Sequence, residues 1–456
     1  MTAGPERRSP GSVAAGERSR AGDGGSPTVR RPLSLAVLTR SFSYPVGMAS
    51  ATRARLVAHA LAEQGDRVLV VCTRAGDPPE MAADNDRLRG WDGRVAFEHT
   101  SGRTTKASGF RERRLSEARG AAAALCRLGR LRAAGRLDAV YYWWGHYHWR
   151  PAPWLYVRYL RALGVPIVEE VNELPWTLRG DVNGVDRRFS PLGGMSGALC
   201  ISRLLLDWAR RERGPGFPAL EVPILVDVRE QRPGPYPTAG PPRLMLAASM
   251  GYRTAVEYVF AAMEHVWRRV PDCRLAMTVA DPVEPLAREL LARRDAGGLD
   301  PRIELHEAVP RRVLLDLYGA SRALLAPLFE DDTSRARFPT KLGEYLASGR
   351  PVVTSAVGEV PRYFVDGETA FVAPPGLPEA FADRICRALE DAERAARVGA
   401  AGRALAEREF DYRAWGPALH RFFASVAGGA AAGSGADSGA GAASARGGDG
   451  AAAGLS

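Results

Sequence analysis

The stretch from Phe338 to Pro375 reads FPTKLGEYLASGRPVVTSAVGEVPRYFVDGETAFVAPP, and its reading decides the fold. Lys341 stands at the entry to a helix that carries Glu344 one turn on, and apolar strand runs follow at Pro351–Thr354 and Ala370–Val372. Of the 62 basic residues in the chain only two are lysines, Lys106 and Lys341, so arginine is the default cation. A compact ammonium differs chemically from a planar guanidinium fork. At a helix N-terminus, where anions are already favoured, it points to a phosphate or a sugar oxygen nearby. The plainer alternative is an i,i+3 Lys341–Glu344 pair on a wet face, worth a few tenths of a kcal/mol.

Outward from this stretch, apolar strand runs alternate with helical runs, the pattern of parallel α/β sheets. In the first half the strand runs are Leu33–Leu38, Val68–Cys72, Asp138–Tyr142, Pro166–Val171 and Ala198–Ile201, with a helix over Ala51–Gln64 ended by Gly65. The second half restarts at Leu244–Ala248, continues with a helix over Thr254–Val270, and has strands at Arg274–Val279, Ile303–Leu305 and Ala323–Ala326. Between the halves, residues 229–242 (REQRPGPYPTAGPP) are dense in Pro and Gly without an apolar period, and read as a linker. The predicted organisation is a tail over 1–31, a first domain over 32–228, a second over 243–408, a terminal helix over 409–426 and a Gly/Ala/Ser tail over 427–456. Two Rossmann-like, doubly wound halves joined by a hinge place a ligand cleft at the carboxyl ends of both sheets.

Composition narrows the function classes. At 456 residues, with 46% apolar and 25% charged, the chain has room for two large domains. No run approaches the roughly 20 apolar residues needed to span a bilayer, and the N-terminal segment has no apolar signal-peptide core. Five scattered cysteines without C-x-x-C spacing point to a reducing cytosol and away from a zinc site. The net charge of +10 is spread over the N-terminal tail and over Gly109–Asp138, where eight arginines face three acids and Leu115, Leu125, Leu128 and Leu131 recur. This basic segment reads as a solvated surface helix or as a peripheral contact with an anionic membrane. No nucleic-acid-binding signature accompanies it.

Taken together, the element order and the Phe338–Pro375 rhythm resemble the GT-B glycosyltransferases of glycosyltransferase family 4, over roughly Leu33 to Phe423. Fainter echoes are Ser41–Gly65, Cys200–Ser202 and Val222–Asp227. The resemblance implies a retaining enzyme that moves a hexose from a nucleotide-diphosphate sugar to an acceptor hydroxyl, with no metal and no cofactor beyond that co-substrate. It assigns Glu344 to the ribose as the second carboxylate of the family's Glu-x7-Glu motif. The first carboxylate is replaced by Ala336, which hands sugar recognition to Thr340 and Lys341. The family's Arg and Lys of the diphosphate clamp correspond to Ser249 and Arg253. Phe338-Pro339 stands where relatives have Phe-Gly, which removes a backbone donor.

In the first domain, the loop Tyr44–Met48 with Gly47 resembles the family's glycine-rich loop. It is not G-x-G-x-x-G, so a dinucleotide dehydrogenase is disfavoured. Asn172 and Glu173, at the end of a strand facing the cleft, are candidates to bond a sugar hydroxyl and to orient the acceptor. The aromatic cluster Tyr142–Trp149 suits either packing, expected for Trp143, or acceptor contact, expected for His146. Asp331-Asp332 reads as a solvated turn. Two rivals remain: a GT-B epimerase or hydrolase acting on the donor alone, and a catalytically silent nucleotide-sugar-binding protein, favoured by Ala336 and Ser249.

Overall fold

The structure, a computed structural model, describes residues 31–76, 85–143, 151–174, 192–247, 252–279, 282–307 and 309–436. It forms two α/β lobes. In the first, the strands are β1 (Ser34–Thr39), β2 (Arg67–Cys72), β3 (Arg89–Asp92), β4 (Val95–His99), β5 (Ala139–Trp143), β6 (Ile167–Val171), β7 (Gly197–Cys200) and β8 (Ala219–Glu221). They line up in the order β3-β4-β2-β1-β5-β6-β7-β8. In the second, β9 (Arg243–Leu246), β10 (Arg274–Val279), β11 (Ile303–Glu307), β12 (Ala323–Ala326), β13 (Val352–Ser355) and β14 (Phe371–Ala373) lie in the order β11-β10-β9-β12-β13-β14.

The strands are parallel except the β3–β4 pair, an edge hairpin that was not predicted. Its outer strand leaves Trp91 exposed, so it lacks the burial that makes a strand visible in sequence. β8 is likewise an addition to the predicted elements. The central strands read as near-continuous apolar runs because both faces are covered. Ala36, Val37, Leu38, Val70, Val71 and Val140 are all buried. Strand order reverses between β1 and β5 in the first sheet and between β9 and β12 in the second, and crevices open at the carboxyl ends of such switch points.

Beyond the second lobe, the chain returns to the first. Tyr412, Trp415, Leu419, Phe423 and Val426 recur at helical spacing along the helix Tyr412–Ala436 and join the core formed by β1, β2 and the helix Ala49–Glu63. Gly416 is required there, because a Cβ would sit 2.8 Å from the carbonyl oxygen of Ala60. His420 Nδ1 meets Asp66 at 2.9 Å, and Asp66 also accepts the Leu33 amide at 2.9 Å, tying the helix to the start of β1.

The 229–242 segment carries no helix or strand but is not loose. Arg350 donates to the carbonyls of Gly234 and Pro235, Arg403 to those of Val228 and Gln231, and Arg322 to that of Thr238. This strapping holds it along the second lobe. The two crossings between lobes lie side by side instead: the Val226 amide donates to Phe410 at 2.9 Å and the Tyr412 amide to Val226 at 3.2 Å. The chain thus passes between the lobes at two adjacent, mutually bonded segments, while the Pro-rich run lies along the second lobe.

The basic segment forms a helix over Phe110–Ala133 that buries Leu128 and Leu131 and leaves Phe110 and Leu115 exposed. Asp331-Asp332 is more than a turn: the Asp331 side chain accepts from the Ser334 amide at 2.6 Å and caps a short helix over Asp332–Ala336. Among the described residues, no helix is long and apolar enough to cross a membrane.

Candidate active site

The first-lobe wall is built on the end of β6. Glu170 is fully buried, and its two oxygens accept from Arg53 Nε and Tyr141 Oη, each at 2.5 Å. Arg53, on the helix Ala49–Glu63, also donates to the carbonyls of Pro223 and Val222 at 2.6 and 2.8 Å. Every guanidinium nitrogen is thereby engaged, and the strand end is locked. Asn172 and Glu173 follow directly, half-buried at the cleft.

The loop containing Gly47 forms part of the same wall. The hydroxyl of the fully buried Tyr44 donates to Asp92 at 3.0 Å, and Asp92 also receives Arg55 at 2.7 Å and His59 at 2.8 Å. Burial would push this carboxyl up, but the hydrogen bonds from His59 and Arg55 hold it well below the usual carboxylate range. Asn85 brackets the Val46 backbone through both its amide oxygen and its amide nitrogen, at 3.0 and 2.7 Å. Gly47 is necessary, since a Cβ would lie 2.6 Å from that of Ala51 in the first turn of the following helix. A loop so anchored presents its backbone rigidly.

The second-lobe wall is the helix Thr340–Ala347, with Thr340 and Lys341 in its first turn. Gly343 lets it pack on Val226 and Ile224, which seats it against the lobe crossing. Lys341 lies half-buried in the cleft, and among the described residues no side chain or carbonyl is bonded to its ammonium. Desolvation pulls its pKa down from 10.5 to about 8, only partly opposed by Glu344. Glu344 accepts from Arg311 Nη1 at 2.8 Å, and Arg311 in turn forks onto both oxygens of Glu230 at 3.0 and 2.8 Å.

Between the walls, Ala336 is completely buried, and its carbonyl accepts from Ser202 Oγ of the first lobe at 2.6 Å. The position where the resemblance places the first carboxylate is thus sealed in the contact between the lobes. The Arg203 amide donates to Glu359 at 2.8 Å and Arg362 pairs with Glu221 at 2.6 Å, extending the same seam. Arg337, the next residue after Ala336, reaches across to Glu173 at 2.6 Å and donates to Tyr252 Oη at 2.7 Å.

Arg253 sits elsewhere. It is half exposed and paired with Glu257 at 3.2 Å and Glu289 at 2.8 Å, so a diphosphate there has two carboxylates to displace. His146 and Ser249 lie outside the described residues. Trp143 is buried, edge-on to Phe42 at 5.5 Å. The structure thus joins Arg337 of one lobe to Glu173 of the other and carries Thr340, Lys341 and Glu344 on the helix that begins three residues after Arg337, while Arg253 is paired at the surface. Arg337 and Tyr252 went unmarked in sequence. An arginine at a helix C-cap carries no signal where sixty of 62 basic residues are arginine.

Two Rossmann-like lobes facing each other in this way define the GT-B fold. The chain is similar to sucrose-phosphate synthase from Thermosynechococcus elongatus, with a TM-score of 0.66 and 16% identity over 88% of this chain and 100% of that one. It is also similar to Anabaena HepE in complex with UDP and glucose, with a TM-score of 0.56 and 15% identity over 86% and 98%.

Residues 241–391, most of the second lobe, match the model of the family Glycosyl transferases group 1. A D-inositol 3-phosphate glycosyltransferase of Xylanimonas cellulosilytica is 29% identical over 168 residues, 37% of this chain and 38% of that protein. One from Corynebacterium glutamicum matches over 34% of its length, so the chain spans little more than a third of these relatives. The alpha-D-kanosaminyltransferase of Streptomyces kanamyceticus is 22% identical over 295 residues, 58% of this chain and 72% of that protein.

Proposed function

We propose that this chain is a retaining glycosyltransferase that moves a hexose from a nucleotide-diphosphate sugar to an acceptor hydroxyl. The observation that carries the proposal is Lys341: a desolvated ammonium without a bonded partner among the described residues, in the first turn of a helix at the cleft. Such a charge is costly to hold in place unless an anion arrives to meet it. The diphosphate of a nucleotide sugar is that anion, and the helix N-terminus adds to its field. In this reading Glu344, one turn on and steadied by Arg311, takes the ribose hydroxyls.

In this reading the leaving diphosphate itself assists deprotonation of the acceptor, and attack comes from the same face of the sugar. The protein contributes orientation and charge stabilisation rather than a nucleophile, metal or cofactor. Asn172 and Glu173 orient the reacting hydroxyls from the first lobe. Pivoting at Val226 and Phe410–Asp411 brings the walls together and excludes water. The reaction belongs to a cytosolic setting, where nucleotide sugars are found.

The test is direct binding and turnover. Lys341→Ala lowers affinity for UDP or GDP by at least about tenfold, the worth of a charged hydrogen bond. A change below about threefold, by calorimetry, sinks the assignment. Free sugar or an epimer appearing without acceptor marks a hydrolase or epimerase instead. Donor-dependent thermal stabilisation without turnover on any acceptor marks a silent binding protein.

A further inference from the structure

The helix Phe110–Ala133 is seated on the carboxyl edge of the first sheet at Gly120. A Cβ there would sit 2.1 Å from the carbonyl oxygen of Thr73, the residue after β2, and the Gly120 carbonyl accepts from Thr100 Oγ1 at 2.9 Å. The helix joins β4 to β5, which lie parallel in one sheet, so it runs back against the strand direction. Its residues before Gly120 therefore stand beyond the strand ends, on the side where the crevice opens. There one carboxylate is shared by three arginines. Glu117 Oε1 meets Arg74 Nε at 3.0 Å, and Oε2 meets Arg40 Nη2 at 3.1 Å and Arg114 Nη1 at 3.5 Å. Arg40 directly follows β1, at the β1–β5 switch point, and Arg74 stands two residues past β2. Arg113 lies over the Phe110 ring at 5.9 Å, with no carboxylate bonded to it among the described residues. Glu112, the other acid of this turn, is taken by Arg103.

This ratio is the reverse of the one found elsewhere in the chain. Arg253, Arg294, Arg311, Arg362 and Arg384 each hold two carboxylates. Among the described residues Arg74, Arg113 and Arg114 have one carboxylate between them, so two positive charges are in surplus before Arg40 is counted. Burial draws the Arg74 pKa below the ordinary arginine value; Glu117 opposes this, and the charges of Arg40, Arg113 and Arg114 add to the fall. The cluster is not sealed: the side chains of Arg40, Arg74 and Arg114 are 21%, 33% and 64% exposed. Like charges gathered at a solvent-open crevice repel one another until an anion joins them.

We infer that Arg40, Arg74 and Arg114 bind a phosphate monoester carried by the acceptor, an inference that rests on the reading of the first lobe as the acceptor side. Such a group carries a charge of about −1.5 to −2 at neutral pH, which matches the surplus, and its terminal oxygens accept from several guanidinium edges at once. A carboxylate answers only half of that surplus. The distances within the sheet agree. Thr39 pairs with Trp143 and Tyr142 with Glu169, so Arg40 stands level with the end of β6, two strand spacings or about 10 Å away. A phosphorylated sugar or polyol bridges that span, with its phosphate on the arginines and a hydroxyl at Asn172 and Glu173. The donor diphosphate is met by Lys341 on the opposite wall, so each anion of the reaction has its own cations. The three arginines are thus specificity-determining residues for the acceptor.

The experiment is calorimetric binding to the full chain saturated with UDP or GDP, using inorganic phosphate, a panel of hexose and polyol monophosphates, and their unphosphorylated parents. At least one monophosphate binds at least about tenfold more tightly than its parent, and more tightly than inorganic phosphate. Arg114→Ser and Arg74→Met each shrink that preference by at least about threefold, while nucleotide affinity stays as it was. Glu117→Gln keeps the shape and removes the competing anion, so monophosphate affinity rises by about threefold or more. A fall in Glu117→Gln marks an ion-pair network that only braces the helix, and overturns the inference. So does a panel without any preference for the phosphorylated form, or nucleotide affinity that falls in parallel in the arginine variants, which moves the cluster to the donor. Binding to phosphatidylglycerol vesicles that the same variants abolish, with no monophosphate bound, makes the helix a membrane contact and overturns it as well. Absence of UDP and GDP binding by the wild-type chain overturns the donor reading instead, and is distinguishable because the monophosphate preference is read separately.

Discussion

Glu170 and Glu173 stand three residues apart at the end of β6, and each holds an arginine, yet the two pairs are built for opposite ends. The Arg53–Glu170 pair lies inside the first lobe, about 1% exposed on both sides, with both carboxylate oxygens and all three guanidinium nitrogens satisfied. The Arg337–Glu173 pair lies between lobes, about a fifth exposed, and leaves one donor and one acceptor without partners among the described residues. A fully satisfied buried pair has nothing left to offer a ligand. It holds a strand end still, and its loss is felt as instability. The half-satisfied pair instead joins the two lobes at a single ionic contact. The difference teaches that two arginine–carboxylate pairs a few residues apart can differ in how completely their hydrogen bonds are met as well as in burial.

The largest test of this contrast is stability. Arg53→Met leaves Glu170 buried without its cation and is expected to cost about 3–5 kcal/mol in urea unfolding. Arg337→Met, removing the more exposed pair, is expected to cost less than about 1 kcal/mol. Equal costs for the two substitutions break the comparison.

A smaller effect concerns pH. Burial depresses the pKa of Lys341 to about 8, so its charge is lost as pH rises through 8. Nucleotide affinity is therefore expected to decline above pH 8, by at most about tenfold per pH unit, and to be flat there in Lys341→Ala. Stability of the unliganded chain moves the other way. The unfolded state binds the extra proton between about 8 and 10.5, so the stability from Lys341 is complete only above 10.5 and is lost as pH falls through 8. A binding curve unchanged from pH 7 to 9.5 removes Lys341 from the diphosphate.

The subtlest effect is coupling between the two members of the cross-lobe pair. A double-mutant cycle of Arg337→Met and Glu173→Gln on urea unfolding should show non-additivity of about 0.5–1 kcal/mol, because the two side chains are in contact. Additivity removes the contact between the lobes.

Much of the fold was legible before any coordinates. Continuous apolar runs such as Val68–Cys72 announce strands covered on both faces, and the Pro-rich run separates the lobes. The hairpin Arg89–His99 was not legible, because its edge strand has only four residues and none of them is buried. Of the candidate site, Lys341 and Glu344 could be read from a helix entry and its spacing. Arg53 and Arg337 could not. Each is one arginine among sixty, and its partner lies in a distant part of the chain.

The sequence alone determined what local pattern can carry: two α/β halves, and a helix with Lys341 in its first turn and Glu344 one turn later. Periodicity and spacing act within a few residues, and they suffice for that. Only the tertiary structure decided which cations face the cleft. It turned Arg253 outward onto Glu257 and Glu289, left Lys341 without a bonded partner among the described residues, and set Arg337 against a carboxylate from the other lobe. Hydrogen-bond satisfaction depends on atoms that meet only after the lobes have folded and packed.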